Sequence, residues 1–190
     1  MKERPILFSS QMVRALLDGS KTQTRRVLKG TALDWISTPI DFDPQFIADA
    51  ENHLCPYGQP GDKLWVREAW SEPTSLDPGP TFYRADYPAC VPPQFSNVPP
   101  IDSIKWKPSI HMRRDQSRIM LEITGVRVER LQDISRGDAM AEGCPFPNMA
   151  YGDDPRKWYA DLWQKINGPG AWDANPLVWV VEFMRVEAQK

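Results

Sequence analysis

The stretch DGSKTQTRRVL, residues 18–28, holds side chains that could act together in nucleophilic catalysis. Thr24 lies three residues after Lys21, and Arg25 and Arg26 follow directly. A threonine hydroxyl attacks a carbonyl carbon once a base takes its proton, and a lysine can be that base when its ammonium form is destabilised. Burial and neighbouring cations both lower a lysine pKa. On an exposed surface the same residues would form an ordinary solvated strand, so both interpretations stay open.

A carboxylate that could complete such a site is Glu122, in the stretch RIMLEITGV. The alternation of this stretch predicts a strand with Leu121 and Ile123 facing the core and Glu122 on the opposite face. A carboxylate on a barrel strand points to solvent, pairs with a cation, or moves protons in a cleft. We expect Glu122 to face a cleft near Lys21, with solvent exposure as the alternative.

The stretch LWVREAW supplies residues that could hold a nucleotide. A period of two puts Trp65 and Arg67 on one face of a strand, with Leu64 and Val66 on the other, and Glu68 follows. An aromatic ring stacks on a base, and an arginine contacts a phosphate. Burial of the tryptophan in the core is the alternative. A second basic patch that could contact a nucleic-acid backbone or remain solvated comprises Lys105, Lys107, Arg113, Arg114 and Arg118.

The elements around the basic stretch place it at the end of a helix. RPILF reads as a short strand, and Ser9 or Ser10 offers an N-cap. Helical spacing of Met12, Val13, Leu16 and Leu17 then predicts a helix that Gly19 ends. The residues that follow, 22–28, are compatible with a strand.

The rest of the chain predicts more strands than helices. Strands are expected at 63–70, 117–131 and 175–186, and the last is apolar on both faces and therefore central. Ser135 and Asp138 predict the start of a short helix that ends at Gly143. Asp154 and Pro155 predict the start of another, and its buried stripe is expected to comprise Trp158, Leu162, Trp163 and Ile166. Prolines between residues 71 and 117 exclude a regular ladder or helix there. This pattern predicts an α+β fold or a small barrel.

Composition limits the function. The chain has 190 residues, enough for one domain with its own core, and a net charge of −2, so a nucleic-acid site must be a local basic patch. No apolar run is long enough to span a membrane and the first residues lack a signal-peptide core, which makes the cytoplasm the expected location. Cys55, Cys90 and Cys144 are far apart, and His53 with Cys55 has no second ligand pair. We therefore expect no disulfide framework, no metal and no cofactor.

Taken together, four stretches resemble the ASCH family, small β-barrel domains related to the PUA and EVE folds. They are RPILFSSQMVRALLDGSKTQTRR, YGQPGDKLWVREAW, ITGVRVERLQDIS and NPLVWVVEF, and they occur in family order. The match is nearest to ASCH proteins encoded by phages and prophages. The resemblance implies a single α+β domain over residues 1–190, with a barrel of five or six strands, short flanking helices and a proline-rich insertion at about 71–117.

The resemblance also implies an activity. The broader ASCH signature has glutamate three residues after its lysine, where this chain has Thr24. A bacterial branch with threonine there is similar to amidohydrolases that remove the acetyl group from N4-acetylcytidine. Carried over, its catalytic residues fall on Lys21 as base, Thr24 as nucleophile and Glu122 as proton shuttle. HMRRDQSR, residues 111–118, departs from the proline and tryptophan expected in phage relatives.

These observations lead to three functional hypotheses. The first is an amidohydrolase that deacylates N4-acylated cytidine, with Arg25, Arg26, Trp65, Arg67 and Glu68 contacting the substrate. The second is a non-catalytic module that binds single-stranded RNA or a modified nucleoside in the same cleft. The third is an interaction protein whose cleft is inert. No metal, cofactor or membrane partner is expected.

Overall fold

The structure, a computed structural model, describes residues 1–38, 42–72, 79–145 and 154–186. It has the α+β composition expected from the sequence. Its strands are β1 (Glu3–Leu7), β2 (Gln23–Val27), β3 (Lys63–Arg67), β4 (Trp70–Ser71), β5 (Phe82–Tyr83), β6 (Met120–Arg130) and β7 (Leu177–Val186). Its helices are α1 (Ser10–Leu17), α2 (Thr31–Ile36), α3 (Pro44–Ala48), α4 (Arg136–Ala141) and α5 (Pro155–Asn167).

Five strands form one sheet in the order β1-β3-β6-β7-β2. β1 runs parallel to β3, and all other neighbours are antiparallel. β7 lies between β6 and β2, which confirms that this strand, apolar on both faces, is central. β1 and β2 are the edges of the sheet, and no backbone ladder joins them within the described residues. The expected closed barrel is therefore not formed by strand pairing there.

The helix boundaries follow the capping residues read from the sequence. Ser9 caps α1, and its side chain accepts a hydrogen bond from the Met12 amide at 3.4 Å. Ser135 and Asp138 form a reciprocal capping box at the start of α4. Asp154 caps α5, with a proline at the first turn. Because these caps satisfy amide groups that a helix cannot pair internally, they decide where each helix begins.

Two apolar clusters lie on the two faces of the sheet. One contains Leu121 and Ile123 of β6 with Leu64 and Val66 of β3, which confirms the alternation predicted for both strands. The other packs α4 and α5 against the sheet through Leu131, Ile134, Ala139, Tyr159, Trp163, Val178 and Val180. The stripe expected on α5 was wrong at Ile166, which is 53% exposed. Tyr159 is buried in its place.

Much of the proline-rich segment lacks regular structure. Between residues 79 and 117 it contains β5 and three single-turn 3-10 helices, and residues 73–78 lie outside the described part of the chain. Arg118 fixes it to the sheet, because its guanidinium pairs with Glu68 at 3.0 Å and with Asp86 at 2.7 Å. Across the described residues, no helix is both long and apolar enough to cross a bilayer.

Candidate functional site

Lys21 lies buried between the end of α1 and the start of β2. Its Nζ donates to the Gln23 carbonyl at 2.8 Å, to the Glu142 carbonyl at 3.0 Å and to Glu142 Oε2 at 2.7 Å. Its side chain has no exposed surface. Three acceptors match the three protons of an ammonium group. The resting side chain is therefore held as a cation by this geometry.

The electrostatics of the site act against that cation. Burial is the main cause that lowers the pKa of Lys21 below its ordinary value, and the charges of Arg26 and Arg25 act in the same direction. Glu142 opposes them. Because Glu142 also pairs with Arg25, its negative charge is shared between two cations. We therefore infer that Lys21 loses its proton more readily than a surface lysine.

Glu142 follows α4 directly and joins that helix to the basic stretch. The Thr22 amide donates to the Ala141 carbonyl at 2.8 Å, which fixes the chain after α4 against the chain before β2. Gly143 makes this approach possible. A Cβ atom there would lie 2.8 Å from the Ala15 Cβ and 3.3 Å from the Lys21 Cβ, and its φ of +92° is one that other residues rarely adopt.

Thr24 is buried on β2 and lines a small pocket at the free edge of that strand. The pocket has a volume of about 60 Å³ and lies between β2, Met12 of α1 and the inner side of α5. Glu142 also lines it, together with Tyr159, Leu162 and Trp163. The Gln23 carbonyl that accepts from Lys21 belongs to the peptide bond preceding Thr24. Lys21, Thr24 and Glu142 are thus brought to one place.

Arg25 helps to hold the Glu142 carboxylate in place. Its Nη1 donates to Glu142 Oε1 at 3.2 Å, and its Nη2 donates to Glu129 at 2.6 Å. The side chain has no exposed surface, and Asp138 lies 3.6 Å from Nη2. These carboxylates occupy the guanidinium and hold it against Glu142, and its contact with a substrate stays a prediction.

Other predicted site residues lie elsewhere. Glu122 is paired across the sheet with Lys63 and Met184, and no ion pair or side-chain hydrogen bond joins it to Lys21 among the described residues. The carboxylate that contacts Lys21 is Glu142, so the placement of Glu122 beside the lysine was wrong. The reason is register, because the pairing of β6 with β3 and β7 puts Glu122 beside those two strands rather than at the β2 edge.

The nucleotide-contact residues proposed on β3 do not line the pocket. Trp65 and Arg67 share a face, as expected, and the Arg67 guanidinium lies 5.1 Å from the centre of the Trp65 ring. Arg67 also donates to the Met112 carbonyl at 3.0 Å. Glu68 is buried and paired with Arg118, and burial raises the pKa of its carboxyl. Of the predicted substrate contacts, only Arg25 and Arg26 line the pocket.

The site contains two residues that the sequence did not indicate, Glu142 and Tyr159. Burial, with the nearby Glu142 carboxylate, raises the pKa of the Tyr159 phenol well above its ordinary value. A carboxylate just before a helix-ending glycine was the available signal for Glu142, but its partner lies 121 residues away in sequence. Within the described residues, no cluster of three or more histidine, cysteine or acidic side chains could hold a metal ion.

Comparison with known proteins gives structural similarity only. No family model matches the sequence, and no curated protein matches it. Protein EF3133 from Enterococcus faecalis V583, of family DUF984, is 12% identical with a TM-score of 0.43, and the match covers 100% of this chain and 83% of that one. An ASCH domain from Lactobacillus crispatus JV V101 is 13% identical with a TM-score of 0.41, over 98% of this chain and 81% of that one. The similar solved structures thus include an ASCH domain, the family that the sequence motifs resemble.

Proposed function

We propose that this protein is an amidohydrolase that deacylates N4-acylated cytidine. The observation that carries the proposal is the buried contact between Lys21 and Glu142 beside Thr24, at a pocket lined by Thr24 and Glu142. A hydroxyl, a buried lysine with a lowered pKa and a carboxylate are the parts that covalent amide hydrolysis needs. The choice of N4-acylcytidine rests on the resemblance of the basic stretch to the threonine-containing branch of the ASCH family.

In this mechanism Thr24 is the nucleophile and Lys21, once neutral, is the base. The Thr24 proton passes to Lys21 while Oγ1 bonds to the acyl carbon and the carbonyl π electrons move to oxygen. The carbon–N4 bond then breaks, N4 takes the proton that Glu142 passes on from Lys21, and cytidine leaves. Water hydrolyses the remaining threonyl ester and releases the carboxylic acid. The free threonine and lysine are restored.

The shuttle role expected for Glu122 passes to Glu142 in this proposal. Glu142 lines the pocket and contacts Lys21 at 2.7 Å, which supports its carboxylate as the group that carries the proton between the lysine and the substrate. Arg25 holds the second carboxylate oxygen. A carboxylate fixed at both oxygens can carry a proton over a short distance without reorientation of its side chain.

The pocket volume limits the acyl group. The pocket beside Thr24 is small, with a volume of about 60 Å³. We expect so small a space to take a short acyl group such as acetyl. We therefore expect the acyl end to enter the pocket, with the cytosine ring outside it, and acetyl to be preferred over benzoyl.

The binding-module hypothesis has less support from the charges at this pocket. Lys21 and Arg25 are both paired with carboxylates, which weakens their attraction for phosphate. If the protein nevertheless binds single-stranded RNA through its basic residues, its affinity should fall by roughly 0.7 log units per log unit of salt for each phosphate contacted. A flat response would exclude backbone binding.

The test of the proposal is incubation with N4-acetylcytidine, followed by chromatographic measurement of cytidine and acetate. We expect turnover in the native protein and a loss of several orders of magnitude in Thr24→Val, which keeps the branched shape but removes the hydroxyl. Thr22→Val is the matched control, because Thr22 lies two residues away with an exposed side chain. Native-like turnover in Thr24→Val would exclude Thr24 as the nucleophile.

The lysine has its own pair of variants. Lys21→Arg keeps the positive charge but removes the base, since a guanidinium does not lose its proton in proteins. Lys29→Arg is the control, at an exposed position directly after the same basic stretch. We expect Lys21→Arg alone to abolish turnover. If native protein binds cytidine nucleotides but hydrolyses none of the acylated substrates, the binding module is the better description.

A further inference from the structure

Arg26 differs from the other two cations of the site, because no carboxylate of the described residues pairs with it. Lys21 and Arg25 form ion pairs with Glu142, whereas no ion pair of Arg26 occurs within the described ranges 1–38, 42–72, 79–145 and 154–186. Its side chain is only half-buried, and it lines the same pocket as Thr24. A cation that lies beside a pocket and is not neutralised by the protein is available to a negative charge in a ligand.

The position of the Arg26 guanidinium is nevertheless well defined. Its Nη2 donates to the Leu7 carbonyl of β1 at 2.7 Å, and its Cζ lies 5.3 Å from the centre of the Phe8 ring. Among the described residues its guanidinium makes no other hydrogen bond, and Nε is buried without a partner there. The arginine is therefore oriented by the protein before a ligand arrives, and it keeps spare N–H groups. This is the property that makes a donor effective in electrostatic catalysis.

Strand geometry puts this arginine on the same side of β2 as Thr24. Residues two apart on a strand point to one face, and Thr24 and Arg26 pair with Val181 and Trp179 of the neighbouring strand. Both side chains therefore lie on one face of β2, and both residues line the pocket. The Phe183 amide donates to the Thr22 carbonyl, so alternate residues of β2 bond to β7 and the backbone of Arg25 faces the free edge.

We propose that Arg26 stabilises the oxyanion that forms when Thr24 attacks the acyl carbon, with the Arg25 amide of the free strand edge as a second donor. The inference rests on the proposed amidohydrolase function. When the Thr24 oxygen bonds to the acyl carbon, the carbonyl oxygen gains a full negative charge, and Arg26 donates a hydrogen bond to it. That charge returns to the carbonyl as the carbon–N4 bond breaks, so Arg26 itself neither gains nor loses a proton.

The pocket favours this role over binding of a substrate phosphate. Thr24, the proposed nucleophile, lines the same pocket as Arg26, so an acyl carbon that reaches Thr24 brings its carbonyl oxygen close to this arginine. The substrate's carbonyl oxygen is thus the acceptor expected inside it. A phosphate bound by Arg26 outside the pocket is the competing role, and it makes a different kinetic prediction.

The experiment compares native protein with Arg26→Gln and Arg26→Met on N4-acetylcytidine and on its 5′-monophosphate. We expect kcat to fall by about 10²–10³ for both substrates, with little change in KM, because the lost interaction exists only in the transition state. Rates are compared at the high-pH plateau, since Arg26 also contributes to the lowered pKa of Lys21. Added guanidinium ion should restore part of the lost kcat.

Arg14→Gln is the matched control, because Arg14 also donates to a backbone carbonyl, that of Ala85 at 2.8 Å, but does not line the pocket. Native kcat in Arg26→Gln or Arg26→Met would overturn the inference. So would a loss confined to the KM of the phosphorylated substrate, which would assign Arg26 to phosphate binding. If Arg26→Gln does not fold, Arg26→Met, which keeps an apolar stem over Phe8, decides the question. Absence of hydrolysis in native protein would instead reject the proposed function, and this inference with it.

Discussion

Replacement of Glu142 by glutamine tests whether this carboxylate holds the site together. Its oxygens contact Lys21 at 2.7 Å and Arg25 at 3.2 Å, and its side chain is 2% exposed. Glu142→Gln removes the negative charge and leaves Lys21 without a counter-ion. Breaking a buried ion pair on one side costs about 3–5 kcal/mol. Because Arg25 keeps its ion pair with Glu129, we expect the free energy of unfolding to fall by the lower end of this range, about 3 kcal/mol at pH 7. This loss corresponds to a fall in Tm of about 6–12 °C.

The loss of stability should depend on pH. The pKa of Lys21 is already lowered by burial, and removal of Glu142 takes away the interaction that raises it. At pH values above the pKa of Lys21, the lysine is neutral in both proteins and no unpaired charge remains on it. The difference in free energy of unfolding between native protein and Glu142→Gln should therefore shrink as pH rises from 7 towards 10.

The assay is urea unfolding followed by tryptophan fluorescence at several pH values. Glu122→Gln is the matched control, because Glu122 is half-buried and forms no ion pair within the described residues, so its change should stay within about 0.5 kcal/mol. Equal stability of Glu142→Gln and native protein at pH 7 would refute the account. A larger loss of stability in Glu122→Gln than in Glu142→Gln would assign the role of carboxylate partner of Lys21 to Glu122 instead.

Three further predictions concern the same region. Since the pKa of Lys21 is lower in the folded than in the unfolded protein, stability should rise with pH through the window between that lowered pKa and 10.5, and Lys21→Met should remove this rise in urea titrations. Asp138 has its pKa lowered from 3.8 to about 2, through hydrogen bonds from Ser135 and Gln23 that outweigh the opposing effect of burial. The contribution of Asp138 to the free energy of unfolding should be complete above pH 3.8 and lost as pH falls towards 2. Asp138→Asn should therefore lose less stability than native protein over this range in acid unfolding curves. Leu162→Ala should enlarge the pocket and raise kcat/KM for butyryl relative to acetyl substrates, and an unchanged preference would show that the acyl group binds elsewhere.

Local patterns in the sequence determined most of the secondary structure. Caps at Ser9, Ser135 and Asp154 predicted three helix starts, because each side chain satisfies amides only a few residues away. Alternation predicted the buried faces of β3 and β6 for the same local reason. The exception on α5 is instructive. Tyr159 rather than Ile166 is buried on α5, because its aromatic ring packs against the Arg25 guanidinium. The helix propensity of a residue carries no information about such a partner.

The site was only half determined by the sequence. Lys21 and Thr24 are three residues apart, so one strand and the turn before it place them together. The carboxylate came from 121 residues away, and only the contact between the end of α4 and β2 selected Glu142 over Glu122. Both glutamates follow short apolar stretches, and the helix-ending glycine after Glu142 does not show which of them contacts Lys21. Tertiary structure decides which glutamate pairs with Lys21, because a buried lysine requires a negative charge within hydrogen-bond distance. The strand register keeps Glu122 beside β3 and leaves Glu142 as the partner.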